Sequence, residues 1–413
     1  MTAGASLADI LPSDALEAAE EGAVRLGHLG SPESVVRPAS VDEVVRVMHW
    51  ANREKVGVLP LRSGRHTGPV TRTGPDGGRW IALCTARLAG IEIYEAADLT
   101  FTAGAGTPMR DLDATLRANG QWAPFDPPYV LDRSLGGLVA TASCGPLAAG
   151  YGELRNHVLG MTVVTGDGRV LRLGGRVVKN VAGFDLIKPM TGSRGSLAVM
   201  TSICLRAFPV PQHDLVLMLA APSAQELAKA AVAVVTAPVM PVATVLVDRL
   251  EAAGGAAALL VRLNGATDAV HADRRTIEQH VGRSFEALDP SASDAVLEAS
   301  RDHAGWAAVR LLASASPSRL TDLLNAIRMA GPASFTVDPY PSIARIAFEM
   351  AHPDTLSALT RAVESIGGAV RVEHALDVGL RQEGSQPTPD ETRLVERLRT
   401  AFDPEEVLWP ARS

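Results

Sequence analysis

Four short glycine-bearing segments, Arg62-Ser63-Gly64-Arg65-His66-Thr67-Gly68, Gly104-Ala105-Gly106-Thr107, Ser134-Leu135-Gly136-Gly137 and Asn180-Val181-Ala182-Gly183, are dispersed along the first half of the chain instead of forming one fingerprint. Glycines at loop turns let backbone amides come close to a ligand, and consecutive amides make an anion-binding nest. Each segment taken alone is equally well a turn. A single phosphate loop is excluded, because no Gly-Lys pair occurs anywhere in the chain. In the nearest approach to a dinucleotide fingerprint, Gly104-Ala105-Gly106-Thr107-Pro108-Met109, methionine stands where the third glycine belongs, so a Rossmann reading rests on two glycines. Any common ligand must therefore be gathered from loops far apart in sequence.

Between these loops the pattern alternates helix and strand. Ser40 and Glu43 make a capping box for a helix over 41–52, followed by a short buried strand over 56–61. Strands follow near 80–84, 91–94 and 99–103, then a helix that starts at Thr107-Pro108 and stops at Gly120. Gly166-Asp167-Gly168 turns a hairpin, and Ser196 to Phe208 reads as another strand. Pro209-Val210-Pro211 marks a domain boundary, since proline blocks both helix and ladder continuation. Beyond it strands and helices mix in the manner of a sheet covered by helices on one face. A polar stretch over 382–389 leads to a last helix ending near Phe402 and the tail.

Charge and cysteine usage narrow the function. The 413 residues carry 39 Lys+Arg against 46 Asp+Glu, net −7, which argues against a general nucleic-acid binder. Up to Pro211 the balance is 21 basic to 20 acidic, and from Gln212 onward it is 18 to 26. The acidity thus belongs to the second half, which suggests a face toward solvent or a protein partner more than toward an anionic substrate. Cys84, Cys144 and Cys204 include no CxxC pair, so the chain holds no iron–sulfur cluster by the usual four thiolates and fits a reducing compartment. Its start lacks the basic and apolar regions of a signal peptide, and its longest apolar stretch is broken by Lys229, Pro238 and Pro241. A cytoplasmic location is expected.

The loops, in their order and context, resemble those of the FAD-binding flavoproteins of the vanillyl-alcohol oxidase/PCMH type. GTPMRDLDATLRANGQWAPFDPP, SLGGLVATASCGP, YGELRNHVLGMTVVTGDGRVLRLGGRVVKNVAGFDL and TGSRGSLAVMTSICLRAFPVP carry the likeness over 36–211. Within that family the chain is most similar to the small (E) flavoprotein subunits of bacterial glycolate oxidases. The tail returns to the pattern, with Asp403-Pro404 and Pro410-Ala411-Arg412 similar to a terminal DP…NPGR. The resemblance implies an α+β chain: an N-terminal extension over 1–30, a PCMH-type FAD-binding domain over 31–211 with subdomains about 31–100 and 101–211, an α+β cap with an antiparallel sheet over 212–385, and a helix and tail over 386–413 returning to the FAD domain.

It also implies site residues. Arg62, Ser63, Gly64, Arg65, His66 and Thr67 would form the pyrophosphate loop, and Gly104, Gly106 and Thr107 would line the flavin cleft. Gly136 and Gly137 would lie against the isoalloxazine or the linker phosphates, with Thr141 and Ser143 as hydroxyl donors. Gly152, Arg155 and the Val158 backbone would hold the adenosine side, and Asn180 and Gly183 would close the pocket. Several positions depart from the family pattern. Arg65 replaces a small residue, His157 stands where an acid is commoner, Trp409 and Ala411 replace Asn and Gly, and Arg194 takes the variable place in Gly-Ser-x-Gly. His66 resembles the histidine by which some relatives tether flavin, a tether the E-subunit relatives lack, so non-covalent FAD is expected.

The ten histidines include no HxH, HxxxH or HExxH spacing, so no metal site is read. His271, His280, His303, His352 and His374 are isolated in the cap, and no residue is assigned to catalysis. The implied function is FAD-linked oxidation of glycolate to glyoxylate within a complex. There a larger flavoprotein and an iron–sulfur subunit complete electron transfer, with at most peripheral membrane association through those partners. The rivals are a stand-alone FAD oxidoreductase for another 2-hydroxy acid or a sugar alcohol, and a scaffold subunit with structural FAD.

Overall fold

The computed structural model describes residues 6–17, 32–64, 78–175, 185–303, 305, 307–375, 380 and 384–408. Among the described residues the chain is α+β, with two larger sheets and a two-stranded one in the N-terminal half and one large sheet in the cap. In the first sheet β2 (Val35–Val36), β4 (Trp80–Cys84) and β3 (Gly57–Leu61) run parallel, and β1 (Leu16–Glu17) joins antiparallel at the edge. Helix Val41–Glu54 packs Val44, Val47, Met48 and Ala51 onto it. Ser40 caps this helix by accepting from the Glu43 amide at 3.2 Å, while the Glu43 carboxylate reaches back to the Ala39 amide at 2.7 Å instead of that of Ser40.

The second sheet orders β5 (Ile91–Glu95), β6 (Thr100–Gly104), β10 (Ala198–Arg206), β8 (Val158–Thr165) and β9 (Val170–Gly174) antiparallel. The change of sheet therefore falls between Cys84 and Ile91, ahead of residue 100, because β5 pairs with β6 and not with β4. A two-stranded piece, β7 (Gln121–Trp122) with β11 (Phe208–Pro209), closes the half at the proline boundary.

The cap holds eight antiparallel strands in the order β15 (Glu286–Ala287), β12 (His213–Ala221), β14 (Ala256–Gly265), β13 (Ala243–Leu250), β17 (Ser334–Asp338), β18 (Ile343–Phe348), β16 (Val309–Ser314) and β19 (Ala369–Ala375). Alternate residues such as Leu217, Leu259, Leu311, Ile346 and Val370 point into one core under helices Ala224–Thr236, Thr267–Val281, Leu320–Ala330 and Pro353–Ser365. On the opposite face helix Pro290–Arg301 covers the β12–β14–β13 side through Val296. The β17–β18–β16–β19 side of that face is turned toward the N-terminal half.

The tail closes the molecule on the first sheet. Leu408 forms a parallel bridge with Val58, and the buried Asp403 carboxylate accepts the amides of Val407 at 3.0 Å and Leu408 at 2.8 Å. Burial outweighs those two donors and pushes Asp403 up to about 6. Its folded state thus holds a proton more firmly than the unfolded chain, and ionisation as pH rises from about 4 to 6 destabilises the fold. Two outcomes are expected from urea denaturation. Asp403→Ala, which orphans two buried amides, lowers stability by roughly 2–4 kcal/mol. The stability of the parent relative to Asp403→Asn increases by on the order of 3 kcal/mol as pH falls from 7 to 4.

Candidate functional site

A cavity of about 410 Å³ lies between the N-terminal half and the bare part of the cap sheet. The sheet's period of two decides what lines it. In β16, β18 and β19 the residues Leu311, Ala344, Ile346, Val370 and Val372 face the helices, so Arg310, Leu312, Ile343, Arg345, Arg371 and Glu373 face the other way. Leu312 pairs with Arg345 on one side and Arg371 on the other, which gathers the cap arginines into one patch. From the N-terminal half come Arg133, Thr141, Ser143, Arg155 and Arg194.

Burial sets the electrostatics. Arg133, 8% exposed, donates to the Pro128 carbonyl at 2.9 Å and the Thr141 hydroxyl at 3.4 Å, and burial lowers it to about 10. Arg194 makes no side-chain hydrogen bond to the described residues, and it too is lowered by burial and by the charge of Arg371. Arg310 donates to the Gly305 carbonyl at 3.4 Å and is likewise lowered by burial. Arg345 differs: burial pulls it down, but the adjoining Asp338 at 2.8 Å together with Glu373 and Asp126 raises it overall. Glu373 is the carboxylate these guanidinium groups share as a favourable neighbour.

Two smaller cavities, of about 70 and 90 Å³, continue from this space through Arg194. Arg62, Ser63, Gly64, Gly137 and Thr141 line them together with the apolar Pro60, Leu61, Ala140, Ala198 and Met200. An elongated run of space with arginines and flat apolar walls suits a ligand that carries a diphosphate and a planar ring.

Gly136 also borders the smaller of these two cavities and Arg155 the large one, while the other sequence-derived residues stand elsewhere. The amides of Gly104, Gly106 and Gly136 are engaged by the carbonyls of Gly90, Leu88 and Ala105 at 3.0, 2.7 and 2.7 Å. A Cβ on Gly106 would meet the Thr85 carbonyl oxygen at 1.9 Å, and one on Gly104 the Leu88 oxygen at 2.4 Å. These glycines permit backbone to pack on backbone. The buried Thr107 hydroxyl bonds to the carbonyl of Gly104 and the amide of Gly90. Gly152, at φ +89°, abuts the His157 ring, whose Nε2 pairs with the Tyr151 carbonyl at 2.7 Å. Val158 is buried at the start of β8, and Arg155 is exposed and paired with Glu153 at the cavity. His374 lies beside Arg310 in the β16–β19 register. Arg65, His66, Thr67, Asn180, Gly183, Trp409, Pro410, Ala411 and Arg412 lie outside the described residues.

Arg133, Arg310, Arg345 and Arg371 were invisible to a reading that followed glycines. For the three cap arginines the signal is the alternation in VRLLAS, IARIAF and VRVEH, where arginine recurs on the face away from the apolar positions; Arg133, after the turn Val130–Asp132, carries no such pattern. Among the described residues no group of three His, Cys, Asp or Glu side chains is placed to hold a metal ion, and no helix is long and apolar enough to cross a membrane.

Comparison with known proteins fits this geometry. The FAD binding domain family matches residues 32–174. That segment, about a third of the chain, is therefore similar to an FAD binding domain, and FAD is the cofactor such a domain supports. Glycolate oxidase subunit GlcE of Escherichia coli is 42% identical over 127 residues, 30% of this chain and 36% of that protein. The chain therefore matches only about a third of that relative's length. D-lactate dehydrogenase of Archaeoglobus fulgidus is 24% identical over 92% of this chain and 90% of its own. A solved structure of alkyldihydroxyacetonephosphate synthase superposes with a TM-score of 0.71 at 16% identity, covering 93% of this chain and 78% of that one, and so shares the fold.

Replacing Gly106 with alanine is expected to cost roughly 1–3 kcal/mol through overpacking. A thermal melt of Gly106→Ala beside the parent, both freed of FAD, checks this.

Proposed function

We propose that the chain is an FAD-dependent oxidoreductase subunit that oxidises the hydroxyl-bearing carbon of a small 2-hydroxy acid, with glycolate the first candidate. The observation that carries this is the arginine patch of β16, β18 and β19 facing Arg133 and Arg194 across one cavity. A carboxylate there gains charge-assisted hydrogen bonds from groups that have lost most of their water. The acidity of the second half argued against such a role. It does not apply to this wall, because Arg310, Arg345 and Arg371 face the cavity while the acids Glu226, Asp268, Asp322 and Asp354 lie on the covering helices.

The chemistry FAD supplies when bound is acceptance of a hydride from the substrate carbon. Arg310, from the cap, would hold the substrate carboxylate. Arg133 and Arg194, which border both the large cavity and the cleft, would supply positive charge where cofactor and substrate meet. Arg62, Ser63, Gly64, Gly137 and Thr141 would line the cofactor side. The similarity to a glycolate oxidase subunit supports work within a complex; a larger flavoprotein and an iron–sulfur chain that receives the electrons are part of this proposal.

The test is anaerobic addition of glycolate or D-lactate to the purified yellow protein. Bleaching of the flavin band is expected, and an unbleached spectrum with both acids rejects independent oxidation. Arg310→Ala should keep its FAD while the KM for the acid rises roughly 10- to 100-fold, the worth of a charged hydrogen bond. Acid precipitation should leave the yellow colour in the supernatant, as non-covalent FAD requires.

A further inference from the structure

The wall of the cavity on the N-terminal side includes residues 142–145 of the segment 142–147, which has no helix or strand to shape it. Irregular backbone of this kind owes its form to individual bonds. At its far end the Asp126 carboxylate accepts the Leu147 amide, at 3.0 and 3.3 Å from its two oxygens. A Cβ on Gly145 would fall 2.0 Å from the Asp126 carbonyl oxygen, so the chain there is pressed against residue 126. At its middle the partner comes from the other domain. Arg345 of β18 sends Nη2 to the Cys144 carbonyl at 2.6 Å and Nη1 to Asp338 at 2.8 Å.

Asp338 is 3% exposed and lies on β17, beside β18 in the same sheet. One of its oxygens is bonded to Arg345 and the other has no partner, so nothing else in the described protein explains a carboxylate at this depth. A guanidinium fixed by a carboxylate presents its remaining donors in one direction, which a flexible ammonium does not. That direction is the Cys144 carbonyl. The two ends of the bond stand on opposite sides of the cavity: Thr141 and Ser143 beside it on one, Arg310 and Arg371 on the other.

We propose that Arg345, oriented by Asp338, is a positioning residue that holds the segment 142–147 in place and so sets the distance between the cap arginines and the cofactor-side hydroxyls. The effect on turnover rests on the hydroxy-acid reading above, whereas the positioning itself does not. The distinguishing variant is the double change Asp338→Leu with Arg345→Met, which removes both charges and leaves neither buried alone. Arg345→Lys serves as the companion, since it keeps the charge beside Asp338 without the fork.

In the FAD-free protein, hydrogen exchange of peptides covering 143–147 should be at least about 10-fold faster in both variants, with exchange in helix Val41–Glu54 unchanged. In the FAD-loaded protein, flavin content should match the parent while kcat falls about 10- to 100-fold, with KM changing less, as expected for a misplacement near 1 Å. Unchanged exchange over 143–147 in the double variant overturns the proposal. If the parent is reduced by no 2-hydroxy acid, the oxidation reading fails and the exchange measurement still decides the positioning.

Discussion

A sheet offers two faces, and the cap can hide only one of them under its own helices. Four helices take the face built from Leu217, Leu259, Leu311, Ile346 and Val370. A fifth, Pro290–Arg301, takes part of the other. What is left over β17, β18, β16 and β19 must meet either solvent or the N-terminal half, and here it meets the latter across a polar cavity. That geometry accounts for the charge of the site. Arginines on the free face of a strand keep their hydrocarbon stems on the sheet and their heads in the gap. Because the gap is narrow the heads lose water, and the lowered proton affinity of Arg133, Arg194 and Arg310 is the consequence.

Most of the fold was legible because strong periodicity met clear punctuation. Helix Val41–Glu54 follows from its cap and apolar stripe, and Pro209 and Pro211 lie between β10 and β12, the last strand of the second sheet and the first of the cap sheet. Three elements were not legible, each for a physical reason. Helix Leu135–Thr141 contains Gly136 and Gly137, which read as loop. Helical backbone is nevertheless preferred there, because Ser134 caps the Gly137 amide and a Cβ at 136 would lie 2.8 Å from the Ala105 carbonyl oxygen. Helix Pro290–Arg301 buries only Ser293, Val296 and Ser300, too faint a stripe to register. Strand β17 is five residues between Pro332 and the turn at Tyr340-Pro341, and its place beside β13 and β18 is a long-range fact.

The site divides in the same way. Arg62, Gly137 and Thr141 line the small cleft, whereas Gly104 and Gly106 serve the contact between β6 and the turn at 85–88. Sequence marks a glycine as necessary without saying whether a ligand or another stretch of backbone needs the room. The arginines were missed for the converse reason. A basic residue in a strand is ordinary on an exposed face, and only tertiary packing turns that face into a cavity wall.

Net charge was the weakest guide. The second half carries eight more acids than bases, yet its inward face presents Arg310, Arg345 and Arg371 against Glu373 and Asp338. At physiological ionic strength exposed charges are felt over about 8 Å, so the acids on the outer helices scarcely reach an anion already inside. A buried guanidinium a few ångströms away acts through a medium that screens it far less. The summed charge therefore governs how the protein repels other acidic surfaces at a distance, while the affinity of the cavity is set by the few groups that line it. An acidic domain can hold an anion-binding wall so long as the strand register points its bases one way and the helices carry its acids the other.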